Sequence, residues 1–433
     1  MSTGPLPGFR DFYPEQYAER AFIQTTWRTV AARYGFAEYD GPPLESTELY
    51  TRKSGDEIVG QLYNFTDKGG REIALRPEMT PTLARMVSAR ANALPKPVRW
   101  FSIPQLFRYE RAQRGRLREH FQLNVDIVCE ADVRADAELV ACAIDMLRAF
   151  GLTHDDFLVR FSDRRVLNGL LASLSLVPDQ YAPVYAVFDK IHRSPIDDSR
   201  NRLIAAGVAI NTADQLIELA RHGTLAGERI EDIGERLNVP EIARLVRYQQ
   251  EVGDLLGDSA DKWLTLDLSI VRGLAYYTGI VFELFDRKGE LRALCGGGRY
   301  DGLLAAIGGT DLPALGFGMG DVVLGELLRD RGLMQTPGAR LDYWVAGDDA
   351  ANHVVLQVAG RLRRKGRRVE YALRAQSLNA QLKAADRAQA RFFAIVRPDA
   401  PPAERILVRR LSDNAEQAMG IEQLIDAPPE FLS

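Results

Sequence analysis

Between Glu19 and Tyr34 apolar residues recur at the spacing of an amphipathic helix, and the chain then passes through PPLEST to the strand-like run VRWFSIPQLFRYE. Helix and strand signals alternate over the first 160 or so residues and predict a mixed domain with a substantial sheet. After Phe161 the texture changes. Arg164 to Val252 is rich in Leu, Ala, Arg and Glu at helical spacing with few strand runs, which predicts a helical insertion. Strand signals return in WLTLDLSIV, break at Arg272-Gly273, resume in YYTGIVFELF and lead to CGGGRYDGL, read as a glycine turn opening a helix. One sheet, interrupted by the helical block and continued after it, is the expected architecture. From Leu341 onward the short runs DYWVA, VEYAL, FFAIV and ILVRRL read as strands, with helical stretches such as SLNAQLKAADRAQA between them, and predict a small three-layer α/β domain. The polar stretch RDRGLMQTPGAR, Arg329 to Arg340, is the expected joint. The boundaries that follow are 1–163 and 256–329 for two parts of one domain, 164–255 for the insertion and 338–433 for the last domain.

Composition narrows this picture. A chain of 433 residues has a prior of about three domains. With 46% apolar and 26% charged residues it is neither fibrous nor intrinsically disordered. The net charge of −4 excludes a uniformly basic coat, so any nucleic-acid contact must be regional; residues from 338 onward carry +3 and the remainder −7. Cys129, Cys142 and Cys295 fit neither a disulfide framework nor a C-x-x-C ligand pair, and five scattered histidines add no metal cluster. A reducing cytoplasm and no protein-bound metal are expected. The N-terminal MSTGPLPGFRDFYPEQ has no apolar core after a basic start, and no run of 18 apolar residues occurs, so neither secretion nor membrane insertion is expected.

The densest polar constellation is FRYERAQRGRLREHFQLNVD, Phe107 to Asp126, where arginines at 108, 111, 114, 116 and 118 flank Gly115. A strand-loop-strand hairpin with a cationic loop is expected, and guanidinium forks this close together match phosphate oxygens, although a solvated charged loop is the commoner meaning of such a run. Gln122 and Asp126 share one face whether the segment is helix or strand. In LRPEMT, Pro77 rigidifies the backbone before Glu78, a carboxylate suited to an ammonium group; a surface turn in which Glu78 pairs with Arg76 is the plainer alternative. In SIVRGLAYYTGIVFE, Arg272 and Gly273 interrupt an apolar strand, making Arg272 a candidate cleft cation or an ion pair at the core edge. CGGGRYDGL lacks the G-x-G-x-x-G spacing, so no Rossmann site is claimed. The glycines at 316, 318 and 320 in ALGFGMGDVVLGELL are expected to serve a close strand-helix contact.

The order and spacing of these segments closely resemble the histidyl-tRNA synthetase family of class II aminoacyl-tRNA synthetases, along almost the whole chain. GFAEYDGPPLE resembles the first class II motif, with Pro42 in the place of its dimer-interface proline. FRYE followed by GRLREHFQ resembles the second. VRGLAYYTG and GGGRYDGL resemble the two histidine signatures, and SLNAQLKAADRAQARFFAIV resembles the anticodon-binding domain. The resemblance implies an α+β fold, with a class II antiparallel sheet flanked by helices, a helical insertion and a C-terminal α/β domain. It implies that Arg108 and Arg272 grip the α-phosphate of ATP, with Glu110 also at the nucleotide. It further implies that Glu78, Thr80 and Gln122 surround the amino acid's α-ammonium, while Asp126, Tyr277 and Tyr300 surround its imidazole. ATP and Mg²⁺, histidine, tRNA(His) and a second copy of the chain are the implied cofactors and partners, with Arg114 and Arg116 as candidate contacts to the tRNA acceptor end.

Three positions depart from the family's pattern. Val323 stands where the third class II motif ordinarily has a γ-phosphate arginine, Asp126 replaces the longer Glu, and Ala275 replaces an Asp. A divergent branch is expected in which another cation, from the Arg111 to Arg118 loop, neutralises the terminal phosphate. RLRRKGRR, Arg361 to Arg368, has six cations in eight positions, a polarity that suits contact with the tRNA backbone, although basic helix ends are commonly just solvated. The competing expectation is a histidine-sensing regulatory paralog, of the type that controls ATP phosphoribosyltransferase. Such paralogs lack the C-terminal domain that this chain keeps.

Overall fold

The computed structural model describes residues 4–54, 56–109, 115, 117–192, 194–221, 241–271, 277–307, 309–335 and 341–426. The chain divides into two compact units, Met1–Gln335 and Thr336–Ser433.

The first unit is built on a nine-stranded sheet. Val98–Ser102, Gln105–Phe107, Glu119–Val128 and Phe157–Asp163 come from before the helical block, and Leu264–Leu266, Ile280–Asp286, Cys295–Arg299 and Ala314–Gly320 from after it. All its pairings are antiparallel apart from Ala37–Glu38 with the 98–102 strand and 157–163 with 264–266. The interrupted sheet of the sequence reading is thus one sheet. Two segments differ from that reading. CGGGR is a strand in the middle of the sheet rather than a turn, because glycines that leave room for neighbours can still form a full antiparallel ladder on both sides. WLTLDLSIV pairs only over Leu264–Leu266, because the Asp267 carboxylate accepts from Ser269 N at 3.0 Å and Oγ at 2.6 Å and turns the chain.

One face of the sheet is covered by helices Pro14–Arg33 and Val133–Arg148, whose Trp27, Leu139, Val140, Ile144 and Leu147 are buried. Each such side chain contributes roughly 1.5–3 kcal/mol by leaving water. Asp132 caps the second helix by accepting from Arg134 N at 2.9 Å. Among its described residues the insertion is helical, as expected, and its helix Ile242–Leu256 packs on Val133–Arg148.

A buried ionic lattice joins these layers. Arg299, fully buried on the 295–299 strand, donates to Asp136 at 2.7 and 3.1 Å and to the Glu130 carbonyl at 2.8 Å, while Arg244 of the insertion reaches the same carboxylate at 3.1 Å. Burial pushes the Asp136 carboxyl up, and Arg299 pulls it back toward the charged form. Removing one partner strands the other, so Arg299→Met is expected to lower unfolding free energy by about 3–5 kcal/mol, with Arg299→Met/Asp136→Leu recovering much of it. Urea unfolding followed by circular dichroism reads both; equal losses in the two variants would count against a paired charge.

The second unit carries a five-stranded sheet, with Leu341–Ala346 and Ala390–Val396 central and parallel and Ile406–Arg410 and Glu416–Met419 added antiparallel. VEYAL contributes only the short edge strand Val369–Glu370. Separate apolar clusters cover its two faces, one with Asn352–Arg364 and Ile421–Asp426 and the other with Leu378–Arg387, giving the expected three layers.

Candidate active site

The site begins with the hairpin formed by Gln105–Phe107 and Glu119–Val128, in which Leu106 pairs with His120. Arg108 N donates to the Arg118 carbonyl at 2.9 Å, just inside the loop. Gln122 and Asp126 lie four residues apart on a strand, so period two puts them on one face. The root of this strand is held by Glu119, buried and paired with Arg10 at 2.7 Å. Arg10 also binds Asp321 at 2.9 Å, and Asp321 accepts from Phe121 N at 3.0 Å. Burial raises the Asp321 carboxyl above its usual range, with Arg10 pulling the other way.

The neighbouring strand Ala314–Gly320 supplies the floor. Gly316 is directly opposite Asp126, and a Cβ there would stand 2.1 Å from Asp126 Oδ1; a Cβ on Gly318 would stand 2.9 Å from the Gln122 amide. These two glycines therefore make room for polar side chains across a strand pair, not for the strand-helix contact expected from sequence. Tyr300 donates to the buried Asp126 carboxylate, and Tyr277 lines the same space; both rings pack with Leu83, Val87 and Val98.

Pro77 and Glu78 lead into the helix Thr80–Ala89. Arg76 is buried and turned to Asp40 (2.6 Å) and the carbonyls of Gly41 (2.8 Å) and Gln105 (3.1 Å), which corrects the surface-turn alternative. Arg108 Nε donates to the Pro77 carbonyl at 3.0 Å, so the two motifs are tied together and the guanidinium has a set direction.

Two cavities adjoin along this floor. The smaller, about 90 Å³, is lined by Glu78, Thr80, Gln122, Asp126, Tyr277 and Tyr300, the six residues singled out for the amino acid. The larger, about 200 Å³, is lined by Leu117, His120, Arg292, Gly320 and Val323 among others; Arg108, Gln122, Gly296 and Gly318 belong to both. An arginine at the boundary between an amino-acid-sized and a larger cavity suits a reacting phosphorus held between two substrates. Among the described residues lining the larger cavity there is no carboxylate, and no group of three His, Cys, Asp or Glu among the described residues is placed to hold a metal ion.

Arg272, Glu110, Arg114 and Arg116 lie outside the described residues. The described residue before Arg272, Val271, is anchored by its carbonyl accepting from Arg164 at 2.5 Å. In the proposed neutralising loop, Arg118 sits over the Tyr109 ring at 4.8 Å, while residues 111–114 and 116 are not described. Sequence reading missed Asn124 and Gly296 in the smaller cavity and Arg292 and His120 in the larger. It also missed Tyr39, whose buried hydroxyl is held well above its usual pKa by burial and by nearby Asp126. Asn124 and His120 carried a signal in their strand parity with Gln122; Arg292 and Tyr39 carried none. The RLRRKGRR run is largely satisfied within its own unit. Arg361 pairs with Glu422 at 2.7 Å and Lys365 with Asp426 at 3.0 Å, Arg363 donates to the Val369 carbonyl at 2.7 Å, and Arg368 pairs with Asp342 at 3.2 Å.

An antiparallel sheet with a hairpin arginine poised between two such cavities is the arrangement of a class II aminoacyl-tRNA synthetase. Within that class the chain belongs to the histidyl-tRNA synthetase family, whose profile matches residues 8–320, followed by an anticodon binding domain over 341–428. It is 43% identical over 433 residues to a histidine–tRNA ligase of Opitutus terrae, covering 99% of this chain and 98% of that one. It is 40% identical over 399 residues to the chloroplastic/mitochondrial histidine–tRNA ligase of Arabidopsis thaliana, covering 92% of this chain and 80% of the other. The fold matches the crystal structure of histidyl-tRNA synthetase from Nostoc sp. PCC 7120 with a TM-score of 0.81 at 23% identity over 98% of both chains. Among the described residues no helix is long and apolar enough to cross a membrane.

Proposed function

We propose that this chain is a histidine–tRNA ligase that activates histidine with ATP and transfers it to the 3′ end of tRNA(His). The observation that carries this reading is the buried Tyr300–Asp126 pair in a polar cavity that shares Arg108 with the larger cavity beside it. In the first step a histidine carboxylate oxygen bonds to the α-phosphorus while the bond to the bridging oxygen breaks and pyrophosphate leaves with the electron pair. In the second the terminal tRNA hydroxyl attacks the activated carbonyl, its proton passes to a phosphate oxygen of the adenylate, and AMP leaves. Glu78, Thr80 and Gln122 hold the α-ammonium, Asp126, Tyr277 and Tyr300 the two ring nitrogens, and Arg108 with Arg272 the α-phosphate, with Glu110 beside the nucleotide. Mg²⁺ adds charge neutralisation on the phosphates when bound. The protein's share is positioning and fixed positive charge, so no acid-base residue is required. An analogue lacking a ring nitrogen leaves Asp126 or a phenol unpaired in a buried site and is rejected.

The test is ATP–pyrophosphate exchange with each amino acid in turn. Exchange with histidine alone is expected; binding of histidine without exchange would favour the regulatory paralog instead, against which the anticodon binding domain match already speaks. Removing residues 341–433 is expected to leave exchange intact and to lower tRNA charging about tenfold or more, the scale of losing several backbone contacts. Equal losses in the two assays would mean that the second unit supports the first structurally. A homodimer is part of the same reading: Pro42, Pro43 and Leu44 are exposed beside the short edge strand Ala37–Glu38. Light scattering at about 97 kDa, twice the 48.3 kDa chain, is the expected outcome.

A further inference from the structure

We infer that Arg292 supplies the cation for the β- and γ-phosphates of the nucleotide, in the place that Val323 cannot fill. The inference rests on the ligase reading for the identity of the anion, and on the larger cavity for its position.

Three observations converge. The first is the charge of that cavity. An ATP molecule brings about four negative charges, and a site that holds it in low dielectric needs fixed positive groups facing them. Among the described residues lining it, Arg108 and Arg292 are the arginines, His120 is the other group able to carry positive charge, and none is acidic. Arg108 is tethered to the Pro77 carbonyl at the boundary with the amino-acid cavity, so it belongs to the α-phosphate. The remaining charge of the leaving pyrophosphate falls to the other end.

The second is proximity. A Cβ built on Gly115, in the arginine-rich loop, would stand 3.4 Å from Val323 Cγ2 and 3.7 Å from Arg292 Cδ. The Val323 methyl and the Arg292 stem therefore flank one point beside Gly115, and both side chains line the same cavity. Val323 itself lies on the first turn of the helix Asp321–Asp330 and joins the hydrophobic core with Leu324 and Leu327.

The third is how Arg292 is carried. It sits in the connection between the strands Ile280–Asp286 and Cys295–Arg299, where the buried Asp286 carboxylate accepts from Glu290 N at 3.2 Å and Leu291 N at 3.0 Å. Leu294 N then donates to the Leu284 carbonyl at 2.8 Å, and Leu291 packs against the core. The backbone on both sides of Arg292 is thus pinned while the side chain is exposed to the cavity, which is the condition for a preorganised phosphate ligand.

Arg292→Gln tests this. In histidine-dependent exchange the variant is expected to lose kcat/KM for ATP by about 10- to 100-fold, the scale of a lost charge-assisted contact, with KM for histidine unchanged. Calorimetric titration with ATP is expected to weaken in parallel. Titration with a non-hydrolysable histidyl-sulfamoyl adenosine, which has no β- or γ-phosphate, is expected to be unaltered. Arg292→Gln/Val323→Arg is expected to recover part of the ATP binding, which a merely structural role for Arg292 would not allow. Unchanged ATP binding and exchange in Arg292→Gln would overturn the inference, as would equal weakening of ATP and the sulfamoyl analogue, or a loss confined to tRNA charging. If the unaltered protein exchanges with another amino acid or with none, the ligase reading fails, and ATP titration of the two proteins still decides the role of Arg292.

Discussion

Arg108→Ala is expected to lower histidine-dependent exchange by ~10²–10³-fold, the cost of removing one preorganised donor from a developing charge. The reason is local. Arg108 follows the strand Gln105–Phe107, its amide is bonded to Arg118 across the hairpin, and its Nε is held by the Pro77 carbonyl, so the guanidinium is directed before substrate arrives. It lines both cavities, and under the ligase reading the α-phosphorus sits where they meet. Arg108→Lys is expected to restore little, because an ammonium offers neither the Nε bond to Pro77 nor a planar fork. Thermal unfolding monitored beside exchange separates chemistry from folding. A full-rate Arg108→Ala enzyme would remove this residue from the reacting phosphate. Arg272→Ala carries the same expected loss under the ligase reading.

The second large effect is at Asp126. Asp126→Asn is expected to lower kcat/KM for histidine about 10²-fold or more, since a charge-assisted bond at a buried carboxylate is worth up to ~3 kcal/mol. Asp126 is buried, accepts from Tyr300, and stands over Gly316 with no space for another side chain, so little water can take the place of the lost contact. KM for ATP is expected to hold, because Asp126 lines the amino-acid cavity alone. Steady-state exchange with each substrate varied in turn reads this. A rise in KM for ATP equal to that for histidine would mean a collapsed sheet and not a lost imidazole contact.

How far these residues were legible before the fold was known differs from one to another. Gln122 and Asp126 were legible as a pair, since four residues apart is one face in either regular conformation. That the segment is strand and not helix depended on its partners at 98–102 and 314–320. Glu78 stood out in the sequence and lines the smaller cavity, but the buried binding of Arg76 to Asp40 depended on a contact with a residue far back in the chain. The basic run at 361–368 suggested nucleic acid by composition, and the acids that pair with much of it lie at 342, 422 and 426.

Period and spacing were sufficient to find the interrupted sheet, the helical character of the insertion and the three-layer second unit, because each is recorded in residues within a few positions of one another. Folding alone settled that GGG is a strand, that Gly316 and Gly318 form the floor under Asp126 and Gln122, and that Arg292 stands beside Val323. Those facts arise where strands and loops distant along the chain are pressed together, and volume and charge are shared across such contacts rather than along the backbone.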